Sequence, residues 1–242
     1  MIQSIMQSVK IYVIHAGNLP ERKVHIDNQL KNLNLSSDFI LSWDAPSIDS
    51  QVKREWRIAK TLSPPQQSCA LKHVEALSRI SEKPEDSWHL VLEDDVVLSE
   101  EFVDALNTTM VEARSFGEIA VVFLGSGGNF YTPRSRRTAG RHLYRAGKGR
   151  LADSYMLKPK TARLRLEKIK EIGITKPIDN LYDDIDKELG IEILWYEDPV
   201  VEQGSKNGLF KTELETPRHR FLQKYFFLLE KLRRKWLYQL WK

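Results

Sequence analysis

Short apolar runs alternate along the chain with segments whose apolar positions repeat at helical spacing. Residues 9–15, VKIYVIH, are β-branched and apolar, the pattern of a buried strand. Pro20 opens a predicted helix to Leu33, with Glu21 in its first turn, where the helix dipole favours an acid. Residues 39–43 read as a second strand, and 46–65 are polar and irregular up to Pro64 and Pro65. A helix is predicted over 66–80. Its Cys69, Ala70, His73, Val74, Leu77 and Ile80 share one stripe, while Lys72, Glu75 and Arg79 lie elsewhere. The segment 88–98, WHLVLEDDVVL, is an apolar run that ends abruptly in Glu93, Asp94 and Asp95. A helix over 99–114 with Ser99 at its start follows, then a strand over 118–124. Beyond residue 125 the pattern predicts a loop holding a short strand at 142–145, and a strand at 154–157. A helix from Pro159 to near Gly173, a second over 179–189 stopped by Gly190, and a strand at 191–196 complete it. Strands alternating with helices predict an α/β fold, a mostly parallel Rossmann-type sheet flanked by helices.

The chain has 242 residues, enough for one sizeable α/β domain, assigned to 1–216, with an appendage at 217–242. In that tail Phe221, Tyr225, Leu228, Leu232, Trp236 and Leu240 recur at helical spacing, with Lys224, Lys231, Arg234 and Lys235 lying mostly away from them. A basic amphipathic helix with aromatic anchors matches an interfacial membrane helix, and it matches equally a helix packed on the domain or on a second subunit. The tail carries eight Lys or Arg against one Glu, so the overall charge of +4 leaves residues 1–216 at −3. That asymmetry disfavours a uniformly basic nucleic-acid binder. No run approaches the roughly 20 apolar residues that span a bilayer, and MIQSIMQSVK lacks the basic-then-apolar order of a secretory signal. Cys69 is the single cysteine, so no intrachain disulfide can form, which fits a reducing compartment. The expectation is a cytoplasmic protein, peripheral on the inner face of the membrane through its tail. The pattern specifies no oligomeric state.

The acids at 93–95 carry the strongest chemical signal. Ligands of open α/β sheets bind at the carboxyl ends of strands. Side chains alternate along a strand, so Glu93 and Asp95 are expected on one side and Asp94 on the other. Two converging carboxylates call for a cation, and a hard ion such as Mg²⁺ or Mn²⁺, shared with a phosphate, suits them. The competing reading is a solvated strand end. Arg22, in the first turn of the helix after the first strand, suits a phosphate. Cys69 and His73 lie one helical turn apart, but two ligands do not make a zinc site and the pair lacks an orienting partner for nucleophilic work. A hydrogen-bonded, partly buried histidine is therefore the default for His73. The glycines at 125–128 admit close backbone approach, yet no Gly-Lys-Ser/Thr follows, so this is not a P-loop. Residues 125–150 hold seven Arg or Lys, six Gly and no acid, suiting a loop that neutralises a diphosphate or closes as a lid. Asp179, after Pro177, is either a helix cap or a catalytic carboxylate.

Six segments taken in order resemble the family 25 glycosyltransferases of the lipooligosaccharide galactosyltransferase type. They are YVIHAGNLPERK (12–23), SCALKHVEAL (68–77), LVLEDDVVL (90–98), SYMLKPKTARLRL (154–166), PIDNLY (177–182) and PVVEQ (199–203). The resemblance covers roughly residues 9–205. The family's acidic motif maps onto Glu93, Asp94 and Asp95, and its Ser-His step onto Lys72 and His73, with lysine replacing the usual serine. Ser68 stands where glycine is common and His15 where asparagine is common. The resemblance implies a GT-A-like fold and a metal-dependent, inverting transfer of a hexose, galactose by family habit, from a UDP-sugar to a lipooligosaccharide or other glycan acceptor. It implies Glu93 and Asp95 as ligands of Mn²⁺ or Mg²⁺, and Arg22, His73 and Asp94 around the donor. Asp179 is the expected general base, with Asp183 and Asp153 behind it. Two alternatives are a metal-dependent nucleotidyltransferase built on the same acids and a non-catalytic relative that keeps the fold.

Overall fold

The structure is a computed structural model that describes residues 9–127 and 129–204, together with Leu209, Phe210, Leu229 and Arg233. The amphipathic tail expected over 217–242 lies outside the described residues apart from the last two of these.

In chain order the elements are β1 (Lys10–Ile14), α1 (Pro20–Asn32), β2 (Ser37–Ile40), α2 (Ser50–Glu55), α3 (Pro64–Ser81), β3 (His89–Glu93) and β4 (Val96–Leu98). Then come α4 (Phe102–Glu112), β5 (Ala120–Phe123), β6 (Leu143–Arg145), β7 (Ser154–Leu157), α5 (Pro159–Ile172), α6 (Ile178–Leu189), β8 (Glu192–Tyr196) and β9 (Val201–Gln203). The central sheet has seven strands in the order β2-β1-β3-β7-β5-β8-β6. β1, β2 and β3 pair in parallel, as do β5 and β8, whereas β7 runs antiparallel to both β3 and β5, and β6 antiparallel to β8. The expected mostly parallel α/β sheet is therefore present, with one antiparallel strand inserted at its middle and one at its edge. β4 and β9 form a separate two-stranded ribbon.

Alternation along the strands divides the core in two. Ile11 and Val13 of β1 and Leu90 and Leu92 of β3 pack with Ile26 and Leu30 of α1 and Phe102, Leu106 and Met110 of α4. Tyr12, Ile14 and Val91 face the other way, onto Leu71, Val74 and Leu77 of α3, Leu166 and Ile169 of α5, and Leu181 and Ile185 of α6. Each face buries aliphatic side chains fully, worth about 1.5–3 kcal/mol apiece. Because α1 covers one face and α3 the other, the chain leaves β1 on one side and enters β3 from the opposite side. That makes the gap between the carboxyl ends of β1 and β3 a topological switch point, where open α/β sheets bind ligands.

Local departures from the sequence expectation have simple causes. α3 begins at Pro64 rather than at 66, because proline is well placed in the first helical turn, and the Gln66 side chain accepts from the Ser63 N–H at 2.9 Å. α2 arises inside the stretch expected to be irregular, where the Asp49 carboxylate accepts from Gln51 N and Val52 N at 2.8 and 2.9 Å. Ser99 does not cap α4. Its N–H goes to the Val200 carbonyl, and the helix begins at Phe102. The second strand lies two residues earlier than expected, over Ser37–Ile40. No helix among the described residues is long and apolar enough to cross a membrane.

Candidate active site

A cavity of about 370 Å³ opens at the switch point. Ile14 and Ala16 from the end of β1 line it, with Asn18, Leu19 and Arg22 from the start of α1 and Asp44, Ala45 and Pro46 from the loop after β2. Pro65, Ser68, Cys69 and Lys72 from the first turns of α3, and Glu93 and Asp94 from the end of β3, complete the wall. The amino-terminal ends of two long helices thus face one space, and both bring the positive end of a helix dipole to it. Two cations reinforce them. Arg22 is nearly buried and reaches the Asp94 carboxylate at 3.4 Å and that of Asp95 at 3.8 Å. Lys72 is buried and pairs with Asp44 at 2.9 Å, and its ammonium also donates to the Ser42 carbonyl. Trp43 between these partners adopts a left-handed φ of +64°, which turns both acceptors toward the lysine. Although partial burial opposes it, Lys72 and the Gly17 N–H hold the Asp44 carboxyl below its ordinary range.

The acids of β3 separate by partner. Strand geometry stops at Glu93, and Asp94 and Asp95 form a turn, so the alternation expected over all three governs only the first. Glu93 continues the Val91 side of the strand and faces α3. Its Oε1 lies 3.6 Å from the Cys69 thiol and 3.6 Å from His73 Nε2, and its Oε2 accepts from Gln203 Nε2 at 3.3 Å. Asp94 binds His15 Nδ1 at 2.7 Å, the Ala16 N–H at 3.3 Å, and Arg22. Asp95 is buried beside Arg22. The antiparallel entry of β7 sets Asp153 next to β3, and its carbonyl accepts from the Glu93 N–H at 2.9 Å. Asp179 is the second residue of α6, not its cap, and its carboxylate accepts from the Ala152 N–H at 2.6 Å. Burial, then the like charges of Asp95, Asp179 and Asp94, raise the Glu93 carboxyl well above the usual carboxylate range. Burial and Glu93 do the same to Asp153. Carboxylates crowded in this way favour a proton or a cation among them, so the donor set suits a hard divalent ion.

The site residues expected from sequence fall into two groups. Arg22, Asp94 and Glu93 line the cavity, whereas Asp95, Asp153, Asp179 and His73 lie near Glu93 and do not line it. His73 is fully buried, with Nδ1 3.0 Å from the Tyr155 hydroxyl, and burial lowers its pKa to about 4, so it is neutral. Asp183 lies further along α6, half-buried, accepting from the Gly149 N–H at 2.8 Å, and desolvation raises its carboxyl. The arginine-rich loop is tied down at Arg150, which is buried and donates to the carbonyls of Gly125, Phe130 and Tyr196 and to the Glu197 carboxylate. Arg137 joins the same carboxylate at 2.6 Å. The nearby glycines serve this packing, since a Cβ on Gly127 would meet that of Arg150 at 2.7 Å. Asp44 and Gln203 were not foreseen as site residues, and Lys72 and His15 were noted only as departures from the family pattern, with no role assigned. Each acts through a partner at least 28 positions away, and no local spacing marks it.

The model of glycosyltransferase family 25, described as LPS biosynthesis proteins, matches residues 8–182. The chain belongs to glycosyltransferase family 25. The matched span covers β1, both helix starts that face the cavity, all three acids of the β3 end, and the first turn of α6 with Asp179. This glycosyltransferase therefore keeps its cavity, its acidic turn and Asp179 inside the family region, while β8, β9 and the tail lie beyond it. No curated protein sequence matches the chain.

Proposed function

We propose that this glycosyltransferase transfers a hexose, galactose by family habit, from a UDP-sugar to a lipooligosaccharide or related glycan with inversion at the anomeric carbon. The observation that carries the reading is the cavity itself. Two helix starts, the cations Arg22 and Lys72 and the carboxylates of Glu93, Asp94 and Asp44 surround one space at the sheet's switch point, with Arg22 paired to Asp94 and Lys72 to Asp44. An anionic donor headgroup matches the helix starts and cations, a sugar's hydroxyls match the carboxylates, and the layout suits a GT-A-like donor site.

Glu93 and Asp95 would hold a divalent cation, Mn²⁺ or Mg²⁺, which when bound offsets charge on the donor diphosphate and its leaving group. Arg22 binds the diphosphate from the α1 side and is kept in place by Asp94, which His15 holds in turn. Asp179 accepts the proton of the attacking acceptor hydroxyl, and the Ala152 N–H fixes its orientation. Asp179 lies at the start of α6 and not in the cavity lining, so on this reading the acceptor approaches from the α6 side while the donor occupies the cavity. His73 shapes this arrangement from beneath rather than touching the donor. The acceptor is lipid-linked or a free oligosaccharide, and the basic aromatic tail over 217–242 rests on anionic membrane, where a lipid-linked acceptor waits.

The test is a panel of sugar nucleotides supplied with Mn²⁺, scored for product and for hydrolysis, alongside Asp95→Ala and Asp179→Asn. Sugar transfer from a UDP-hexose that is lost with chelator and in both variants supports the reading. Transfer of a nucleotidyl group would favour phosphoryl transfer instead. Donor binding without transfer or hydrolysis, left unchanged in Asp95→Ala, would favour a non-catalytic relative.

A further inference from the structure

The α3 side of the carboxylate cluster holds a second donor set of different chemistry. Cys69 Sγ, a ring nitrogen of His73 and a carboxylate oxygen of Glu93 all lie within 4.8 Å of one another. Two edges of that triangle, Sγ to Oε1 and Nε2 to Oε1, each measure 3.6 Å. Around a tetrahedral zinc-type ion, bonds of about 2.0–2.3 Å set ligand atoms about 3.3–3.8 Å apart. Both edges already fall in that window.

His73 supplies an independent observation. It is fully buried, its Nδ1 is engaged by the Tyr155 hydroxyl at 3.0 Å, and its Nε2 has no hydrogen-bond partner while facing Glu93. A hydrogen bond on one ring nitrogen that aims the other at a vacant position is how ligating histidines are normally held. Tyr155 is itself set by Tyr182, whose hydroxyl lies 3.4 Å away. Cys69 and Glu93 both border the cavity, so an ion held there is reached from the cavity and keeps an outward coordination position.

We propose that Cys69, His73 and Glu93 form a site for a borderline-soft divalent ion of the zinc class, with thiolate, imidazole and carboxylate ligands and one position open to the cavity. Binding exchanges the thiol proton, released to solvent, for a metal–sulfur bond, with no change of oxidation state. The site is distinct in ligand type from the all-oxygen pair assigned to Mn²⁺ or Mg²⁺, since thiolate and imidazole select zinc, cobalt or copper over magnesium. The two sites share Glu93: an ion on Cys69 and His73 takes its Oε1, and its Oε2 already accepts from Gln203 at 3.3 Å, so the hard ion loses this ligand. Zinc therefore displaces the hard ion and suppresses sugar transfer, which makes this cluster an inhibitory metal site in the donor cavity.

The experiment uses the full-length chain, stripped with chelator and titrated with Co²⁺ as an optically active stand-in. One equivalent is expected to give a near-ultraviolet thiolate-to-cobalt band and the visible bands of four-coordinate cobalt. Zn²⁺ should remove them and excess Mg²⁺ should not. Cys69→Ser should lose the thiolate band and bind Zn²⁺ at least about tenfold more weakly, while Asp95→Asn should keep the band. Absence of a thiolate band in the wild-type chain, its persistence in Cys69→Ser, or its loss in Asp95→Asn would overturn the proposal. Mn²⁺-supported transfer without any cobalt–thiolate band would sink this site and leave the transfer reading intact. The band in a chain that transfers no sugar would do the reverse.

Discussion

Removing the Asp186 carboxylate strands a charge in the interior. Arg165 of α5 and Asp186 of α6 are both fully buried and form a two-pronged pair, Nε to Oδ1 at 2.8 Å and Nη2 to Oδ2 at 2.5 Å. Burial alone would depress the guanidinium, and Asp186 more than reverses it, so Arg165 stays charged. Its guanidinium carbon also sits 4.1 Å from the Tyr182 ring centroid and 5.5 Å from that of Tyr155, the two rings that hold His73. In Asp186→Ala the guanidinium keeps its desolvation cost and loses its partner, a change of about 3–5 kcal/mol. For a chain of this size that corresponds to a fall in Tm of about 6–20 °C. The double variant Arg165→Met/Asp186→Leu removes both charges and fills the space, so it should lie closer to wild type than the single variant does. Equilibrium urea unfolding of the three proteins, with thermal melts in parallel, measures this. A loss under about 1 kcal/mol in Asp186→Ala, or a double variant less stable than the single, would refute the reasoning that the carboxylate neutralises a charge with no other outlet.

Further outcomes follow from the same contacts. Arg22→Ala should raise the KM for the sugar nucleotide about tenfold or more, and Arg22→Lys should recover only part of it, since a point charge replaces a fork; steady-state kinetics against donor concentration checks this. His89 is pushed down to about 4 by burial and by Lys83 and Lys10, whereas an unfolded histidine titrates near 6.5. The unfolded chain therefore takes up a proton that the folded chain refuses, and stability drops as pH falls from about 6.5 to about 4. Melts across that window should show a shallower slope in His89→Gln, and an unchanged slope would exclude this group as a source. Gly127→Ala places a Cβ at a φ of +54° against Arg150 and should cost about 1–3 kcal/mol, read by urea unfolding. The full chain should cosediment with anionic vesicles at low salt and be released as salt rises, through the eight cations of the tail; equal binding to neutral vesicles would count against that role.

Periodicity along the chain was enough to place β1, α1, α3, β3, β5, α5, α6 and β8 within about two residues. Each is long or apolar enough for its pattern to survive local noise. The acids at the end of β3 and the place of Arg22 in the first turn of α1 were legible for the same reason, because each depends on near neighbours in sequence. The tertiary structure decided the rest. Strand alternation stops where the backbone turns at Asp94, so only the fold could show that Glu93 faces α3 while Asp94 goes to His15 and Arg22. Whether β7 runs parallel or antiparallel leaves no trace in four apolar residues, yet its direction is what carries Asp153 to the end of β3. Lys72 lies off the apolar stripe of its helix, but α3 is covered on several sides, and its charge is met by Asp44, 28 residues earlier. Sequence periodicity records which face of an element is apolar. Which charges meet across the sheet end depends on the order in which strands pair, and that is a property of the whole chain.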